Sequence, residues 1–335
     1  MSENISFVFC NSGKEFGDRV YKALAPLCRE AGVNFKKVDS EEIWFKNGEV
    51  KTVIKEPLRG DDVYIFQLLN DPQVAYSVND NFIALLTAID AAHQADAGRI
   101  TVVVPQYPYS RQERRKEREG ITAKLAARFL EDVGTYRVIT IDIHSDAIGG
   151  FFDTAKLENL HASNAIMEEL KLIYPQGNFM VVAPDTGGTD RARFYAKKMG
   201  KEFAVIYKSR DYAQISKIDV MKLIGDVDGK NVFVVDDMID TGGTIVKACE
   251  LLKDNGAKQI VIACTFPYFS GNAVENLQNA YEKKIIDVVI GTDAVIRGAL
   301  FIKDEPWYHE VSVAGIFAKV IFNINQNKSI SVLLV

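Results

Sequence analysis

Two rhythms of apolar residues take turns along this chain. Short continuous runs at 5–10, 63–67, 99–104, 137–143, 179–182, 203–207, 232–235, 259–264 and 287–290 have the length and β-branched or aromatic character of strands covered on both faces of a parallel sheet. Between them, apolar residues spaced three and four apart at 16–31, about 82–93, 122–133, 162–174, 271–280 and 315–325 predict helices packed on such sheets. Strand and helix alternate, so the expected class is α/β with mostly parallel sheets flanked by helices. The alternation restarts after Phe151-Phe152-Asp153 without a low-complexity linker. That predicts two related domains, 1–155 and 156–310, with a site in the cleft between them. The tail, 311–335, is expected to add a helix and a last strand at 329–334.

Two segments break the rhythm. Around Asn47-Gly48 the pattern 45–54 predicts a protruding hairpin, and 217–227 reads as a β excursion. A hairpin of this kind is either a surface or oligomer contact, or a presenting arm. In the second case Phe45 offers a flat face to a base, and Asn47 and Glu49 offer polar contacts.

Polar chemistry gathers where the apolar runs stop. The stretch 231–252, NVFVVDDMIDTGGTIVKACELL, is a strand, an acidic pair, a glycine turn and an amphipathic helix. Backbone N–H groups at Asp240, Thr241, Gly242, Gly243 and Thr244 can cradle a phosphate at the start of the helix. Asp236 and Asp237, acceptors only when ionised, suit the hydroxyls of a sugar or a divalent cation. Phosphate and sugar hydroxyls together describe a ribose 5-phosphate unit. The segment 225–230, GDVDGK, has one residue too few for a P-loop and is followed by Asn231 where Ser or Thr is needed.

Three more strand ends carry charge. SRQERRKEREG at 110–120 follows the run 99–104 and packs five basic and three acidic residues into 111–119, at the carboxyl edge where open α/β sheets bind ligands. Arg111 and Gln112 open it, and arginine suits polyphosphate oxygens. Asp142-Ile143-His144-Ser145 ends another run, where His144 is either structural or a metal or phosphate ligand. Ala183-Pro184-Asp185-Thr186-Gly187-Gly188 is a second glycine turn, with Asp185 placed for a cation, and Lys208-Ser209-Arg210 follows the run 203–207 as a solvated loop or a clamp on a phosphoryl group.

Composition narrows the partners. With 335 residues, 47% hydrophobic and 25% charged, and a net charge of −5, the chain has ordinary globular composition and no global basic field for nucleic acid or an anionic membrane. Cys10, Cys28, Cys249 and Cys264 are scattered in apolar surroundings, which predicts reduced thiols. The start lacks a signal-like basic and apolar region, and no apolar run is long enough to span a bilayer. The expected location is the cytoplasm.

Taken together, these motifs resemble the PRPP synthase (ribose-phosphate diphosphokinase) family over nearly the whole chain. FKNGEV at 45–50 resembles the family's FSDGEV hairpin, SRQE its ARQD segment, DIHS its DLHA, APDTGG its SPDxGG loop, KSR its KRR and VVDDMIDTGGT its ribose 5-phosphate loop. The resemblance implies two phosphoribosyltransferase-type I-like domains and transfer of the diphosphoryl group of ATP to the anomeric hydroxyl of ribose 5-phosphate, giving PRPP and AMP. Lys208 and Arg210 would be catalytic, Phe45, Asn47, Glu49, Arg111 and Gln112 would hold ATP, and His144 and Asp185 would bind Mg²⁺. Asp236, Asp237, Asp240, Thr241, Gly242, Gly243 and Thr244 would hold ribose 5-phosphate. The resemblance further implies a homo-oligomer built from dimers, with a hexamer among its forms and the hairpin reaching a neighbouring subunit's ATP site. Asn47 stands for the family's Asp, Pro57 for a regulatory Ser, and Gly291-Thr292-Asp293 for a TNT-like loop, so activity should depend little on inorganic phosphate. A non-catalytic regulatory homologue and a PRPP-consuming phosphoribosyltransferase are the alternatives.

Overall fold

The computed structural model describes residues 4–210 and 219–333, with the backbone alone at 208–210 and 219–220. It divides into two compact units, one made of residues up to His161 together with those from Ser312 onward, the other of Ala162–Val311.

The first unit opens with β1 (Ile5–Phe9) and α1 (Lys14–Ala31), then β2 (Phe35–Lys37), the hairpin strands β3 (Ser40–Trp44) and β4 (Val50–Ile54), and β5 (Asp62–Phe66). It continues with α2 (Val78–Gln94), β6 (Arg99–Val103), α3 (Thr122–Asp132), β7 (Arg137–Ile141) and β8 (Lys156–Leu160). Six strands in the order β2-β1-β5-β6-β7-β8 make a sheet whose pairings are all parallel. Its centre is fully apolar, with Val63, Ile65, Val102 and Val138 buried beneath Leu85, Ile89, Ala126 and Leu130 of α2 and α3. The turn into α1 passes so close to β5 that a Cβ on Gly13 would stand 2.1 Å from the Phe66 carbonyl oxygen. Only glycine allows that approach.

The second unit carries α4 (Ser163–Ile173), β9 (Met180–Ala183), α5 (Thr189–Met199), β10 (Phe203–Arg210), β11 (Asp219–Ile224), β12 (Val232–Ile239) and α6 (Gly243–Asp254). After these come β13 (Ile260–Pro267), α7 (Ala273–Glu282), β14 (Val288–Thr292), α8 (Ala299–Asp304) and β15 (Tyr308–Val311). Its seven strands run β11-β10-β9-β12-β13-β14-β15. The β10–β11 pair is antiparallel, and the other pairings are parallel. The apolar run that announced β12 lies fully buried at Val232 and Val234, against Ile245, Ala248 and Leu252 of α6.

The chain then returns to the first unit as α9 (Ala314–Asn325), which packs on α1 with Phe317 edge-on to Phe16 at 5.2 Å. Buried Asp62 anchors this return. It accepts hydrogen bonds from Asn325 Nδ2 at 3.0 Å and Tyr64 Oη at 3.0 Å, and pairs with Arg99 Nη2 at 3.1 Å. A buried carboxylate needs such partners.

The pattern of apolar residues misplaced several elements. The last strand expected at 329–334 is instead, among the described residues, a 3₁₀ turn at Ser331–Leu333 that follows α9. β8 was not foreseen, since its Lys-Leu-Glu-Asn-Leu sequence alternates as a half-exposed edge strand does. The run expected to stop at 207 continues through Arg210, because β11 pairs with it as far as Arg210↔Asp219.

Candidate active site

In the second unit β9 and β12 are parallel neighbours, with Met180 opposite Val232 and Val182 opposite Val234. Their carboxyl ends therefore place the two glycine turns side by side. Gly242 takes φ 75° and ψ −19° at the N-cap of α6, a left-handed conformation that costs a side-chain-bearing residue about 1 kcal/mol or more. No side chain caps α6, so its first amide groups retain their capacity for an anion. The turn is stitched to the following loop: Ser270 N–H donates to the Asp240 carbonyl at 2.8 Å, Phe269 N–H to that of Ile239 at 3.0 Å, and Asn276 Nδ2 to that of Thr241 at 3.3 Å. Thr244 and Gly243 begin the helix proper.

The strand expected to stop before the acids continues through Ile239 because it pairs with β13 as far as Pro267. Asp237, buried, and Asp236, half-buried, therefore lie within β12, and the Asp237 N–H donates to Asp236 Oδ1 at 2.8 Å. Burial, and then the adjacent Asp237 charge, push the Asp236 carboxyl well above the usual carboxylate range. Arg191, from the first turns of α5, pulls the other way. Its Nη1 lies 3.5 Å from Asp236 Oδ1 and 3.5 Å from Asp237 Oδ1. The sequence reading did not single out Arg191. The only signal was its place a few residues after the Gly187-Gly188 turn, one helical turn above a strand end that faces another strand's acids.

In the neighbouring turn, Asp185 Oδ1 accepts the Gly188 N–H at 2.9 Å, which fixes the start of α5 in the manner of a capping carboxylate. Among the described residues no group of three or more His, Cys, Asp or Glu side chains is arranged to hold a metal by itself. Lys208 and Arg210 lie on the last part of β10, one strand beyond β9. Their side chains fall outside the described residues, as do residues 211–218.

The first unit holds the remaining expected residues. The 45–49 loop closes the β3–β4 hairpin with Phe45 N–H donating to the Glu49 carbonyl at 2.8 Å, Gly48 N–H to that of Phe45 at 3.0 Å, and Glu49 N–H to Asn47 Oδ1 at 3.2 Å. Phe45 is 46% exposed at the tip, with Lys51 Nζ 5.7 Å from its ring centre. Arg111 and Gln112 are exposed in the loop after β6, where Gln112 N–H donates to the Tyr109 carbonyl at 2.8 Å. The basic stretch beyond them is partly self-neutralised, with Arg114 3.5 Å from Glu113 and the Lys116 N–H bound to Glu119 at 2.8 Å.

His144 is exposed just past β7. The residues on either side of it are tied to β8, whose edge position the sequence had hidden. Asn159 accepts from Ile143 N–H at 3.0 Å and donates to Asp146 Oδ1 at 3.3 Å. Asp142 adopts φ 41°, a costly conformation for a non-glycine residue, and its Oδ1 is 2.9 Å from His161 Nδ1.

Comparison with known proteins covers both units. Residues 5–134 match the N-terminal domain of ribose phosphate pyrophosphokinase, and residues 153–302 match the phosphoribosyl transferase domain. The chain is 41% identical over 292 residues, 86% of its length and 88% of the relative's, to the ribose-phosphate pyrophosphokinase of Vibrio vulnificus. It is 44% identical to that of Vibrio cholerae over 254 residues, 75% of this chain and 77% of the other. In three dimensions it is similar to the phosphoribosylpyrophosphate synthetase of Mycobacterium smegmatis, with a TM-score of 0.84 and 30% identity, over 97% of this chain and 100% of that one.

Proposed function

The chain belongs to the ribose phosphate pyrophosphokinase family, and on that premise we propose that its own residues divide the work of moving the diphosphoryl group of ATP to the anomeric hydroxyl of ribose 5-phosphate. The products are PRPP and AMP. The observation that carries the residue-level reading is the β12–α6 junction, where a left-handed Gly242 precedes an uncapped helix and the half-buried Asp236 and buried Asp237 lie in the last residues of the strand.

The 5-phosphate binds the amides of 240–244 at the helix start, with the hydroxyl of Thr241 or Thr244 beside it, and the ribose hydroxyls donate to Asp236 and Asp237. Phe45 stacks on the adenine, and Asn47 and Glu49 hydrogen-bond its edge. Arg111 and Gln112 bind the polyphosphate. Lys208 and Arg210 neutralise charge on the phosphoryl oxygens as the α–β bond breaks and the bond from the anomeric oxygen to the β-phosphorus forms. The proton of that hydroxyl passes to solvent water as the bond forms. Alignment supplies much of the rate, because both reactants are held by fixed donors.

Mg²⁺ fits this donor set. Two carboxylates that burial and mutual repulsion make reluctant to ionise together, with Arg191 within 3.5 Å of both, are improved by a hard divalent cation. His144 and Asp185 would hold the ion that accompanies ATP. When bound, it offsets negative charge on the polyphosphate and its leaving oxygen. The exposed ring of Phe45 on a projecting hairpin fits a homo-oligomer built from dimers in which the arm completes a neighbour's nucleotide site. Four cysteines that are all free and buried fit a reducing compartment, the cytoplasm, and among the described residues no helix is long and apolar enough to cross a membrane.

The test is to mix the purified protein with ATP, Mg²⁺ and ribose 5-phosphate and to resolve the nucleotide products. AMP is expected in equal amount to PRPP. Formation of ADP, or no turnover by folded protein, rejects the reading.

A further inference from the structure

The two elements assigned to ATP in the first unit, the hairpin and the Arg111–Gln112 turn, share one support. It is the amino end of α2. The indole of Trp44, the last residue of β3, lies parallel to the ring of Tyr76 at 4.3 Å and 13°. Tyr76 immediately precedes Ser77, the N-cap of α2, where Ser77 and Asp80 form a reciprocal capping box. Three residues after Tyr76, Asn79 Oδ1 accepts a hydrogen bond from Tyr109 Oη at 2.6 Å. Tyr109 is the residue whose carbonyl receives Gln112 N–H at 2.8 Å, two places before Arg111.

Tyr109 is itself held in an unfavourable backbone conformation, φ 55°. Such a residue persists only when its surroundings over-determine it. Here the surroundings belong again to α2: Phe82 meets the Tyr109 ring edge-on at 6.1 Å, and Asn79 takes its hydroxyl. Farther along α2, Thr87 Oγ1 lies 3.0 Å from Thr52 Oγ1 of β4. One helix thus grips the hairpin at two points and the polar turn at two others, beside the Asn11 N–H bond to Glu42 of β3 at 3.0 Å and the Ala123 N–H bond to the Gln112 carbonyl at 3.4 Å.

We infer that Tyr76 and Asn79 are positioning residues for the nucleotide: the first sets the pose of the hairpin through Trp44, the second sets the Arg111–Gln112 turn through Tyr109, and the capped first turn of α2 couples them. The inference rests on the assignment of those two elements to ATP. Because the two grips are only three residues apart on one capped turn, loosening either one frees the other in part, so the two losses are not independent.

The experiment compares Tyr76→Ala, Asn79→Ala and the double variant with the full chain, measuring AMP formation against each substrate. Each single change should raise KM for ATP roughly threefold to tenfold, the range for losing an aromatic pair or a hydrogen bond. KM for ribose 5-phosphate should stay within about twofold. Tyr76→Phe, which keeps the stack, and Asn79→Asp, which keeps the acceptor, should restore ATP affinity, and the double variant should lose less than the product of the two single effects. An unchanged KM for ATP in folded variants, equal rises for both substrates, or full multiplicativity would overturn the inference. Isothermal titration with α,β-methylene-ATP measures nucleotide binding without turnover. That readout decides the point even if no AMP forms, an outcome that would instead reject the proposed reaction.

Discussion

At the end of β12, Asp236 and Asp237 are sunk into a seven-stranded sheet, countered by Arg191 and followed by a turn whose carbonyls are tied to the next loop. In the first unit, Phe45, Asn47, Glu49, Arg111 and Gln112 are all exposed, on a hairpin tip and a loop that are tied locally and braced by side chains of α2. The contrast is between groups fixed by backbone architecture and groups leaning on a few tertiary contacts. Preorganised groups act on the transition state, and loosely supported ones act mainly on binding. The largest mutational effects should therefore lie in the second unit and appear in turnover, and the smaller ones in the first unit and appear in KM.

The largest effect expected is from Lys208→Ala, on the strand next to β9. Losing a cation that meets developing charge on the phosphoryl oxygens costs roughly 10² to 10³ in rate. Steady-state AMP formation should show that loss with little change in KM for ribose 5-phosphate and an unaltered melting temperature. Near-normal turnover at saturating substrates would erase the contrast and move the phosphoryl clamp to the basic loop at 111–119.

Next comes Asp237→Asn. Losing one charged acceptor for a ribose hydroxyl should raise KM for ribose 5-phosphate roughly tenfold to a hundredfold, as a charge-assisted hydrogen bond is worth about 1.5–3 kcal/mol. The same variant has a signature in stability. Because burial and the Asp237 charge raise the folded-state value of Asp236 above its unfolded one, its protonated form contributes stability that is fully present below the ordinary carboxylate value and lost as pH rises through the raised one. Metal-free wild type should lose melting temperature across that window, and Asp237→Asn should lose less. Parallel pH profiles for the two proteins would show that the acids do not repel one another in the folded state.

These differences also decide what could be read before the structure. The β12–α6 junction is local: strand, acids, glycines and helix follow one another within 231–252, and each residue's role is set by its immediate neighbours. The parallel α/β class was legible for the same reason, since each buried strand announces itself as a continuous apolar run. What stayed hidden depends on distant pairing. Arg191 joins Asp236 across 45 positions of sequence only because β9 and β12 are adjacent. β8 emerges as a strand only beside β7, and the continuation of β10 through Arg210 exists only because β11 folds back on it. Tyr76, in a polar stretch with no periodicity, became informative once Trp44 was found against it.

The smallest effect expected is from Phe45→Ala, and it also tests where the exposed arm works. The ring is 46% exposed at the hairpin tip, with Lys51 Nζ 5.7 Å from its centre, so its loss should leave folding intact. An aromatic pair is worth about 0.5–1.5 kcal/mol beyond its burial, which sets an expected rise in KM for ATP of roughly threefold to tenfold, with turnover at saturating ATP nearly unchanged. If the arm serves a neighbouring subunit, a protein carrying both Phe45→Ala and Lys208→Ala in every chain should be worse in both respects. Mixed oligomers of the two single variants would contain sites with an intact Phe45 from one chain and an intact Lys208 from the other. Those sites recover wild-type KM and turnover together, so at subsaturating ATP the mixture should exceed the average of the two separate proteins. If the arm instead completes the site of its own chain, mixing yields only that average. Equal activity of the mixture and the average, with subunit exchange verified by mass spectrometry, would therefore keep Phe45 as a nucleotide contact but place it within one chain.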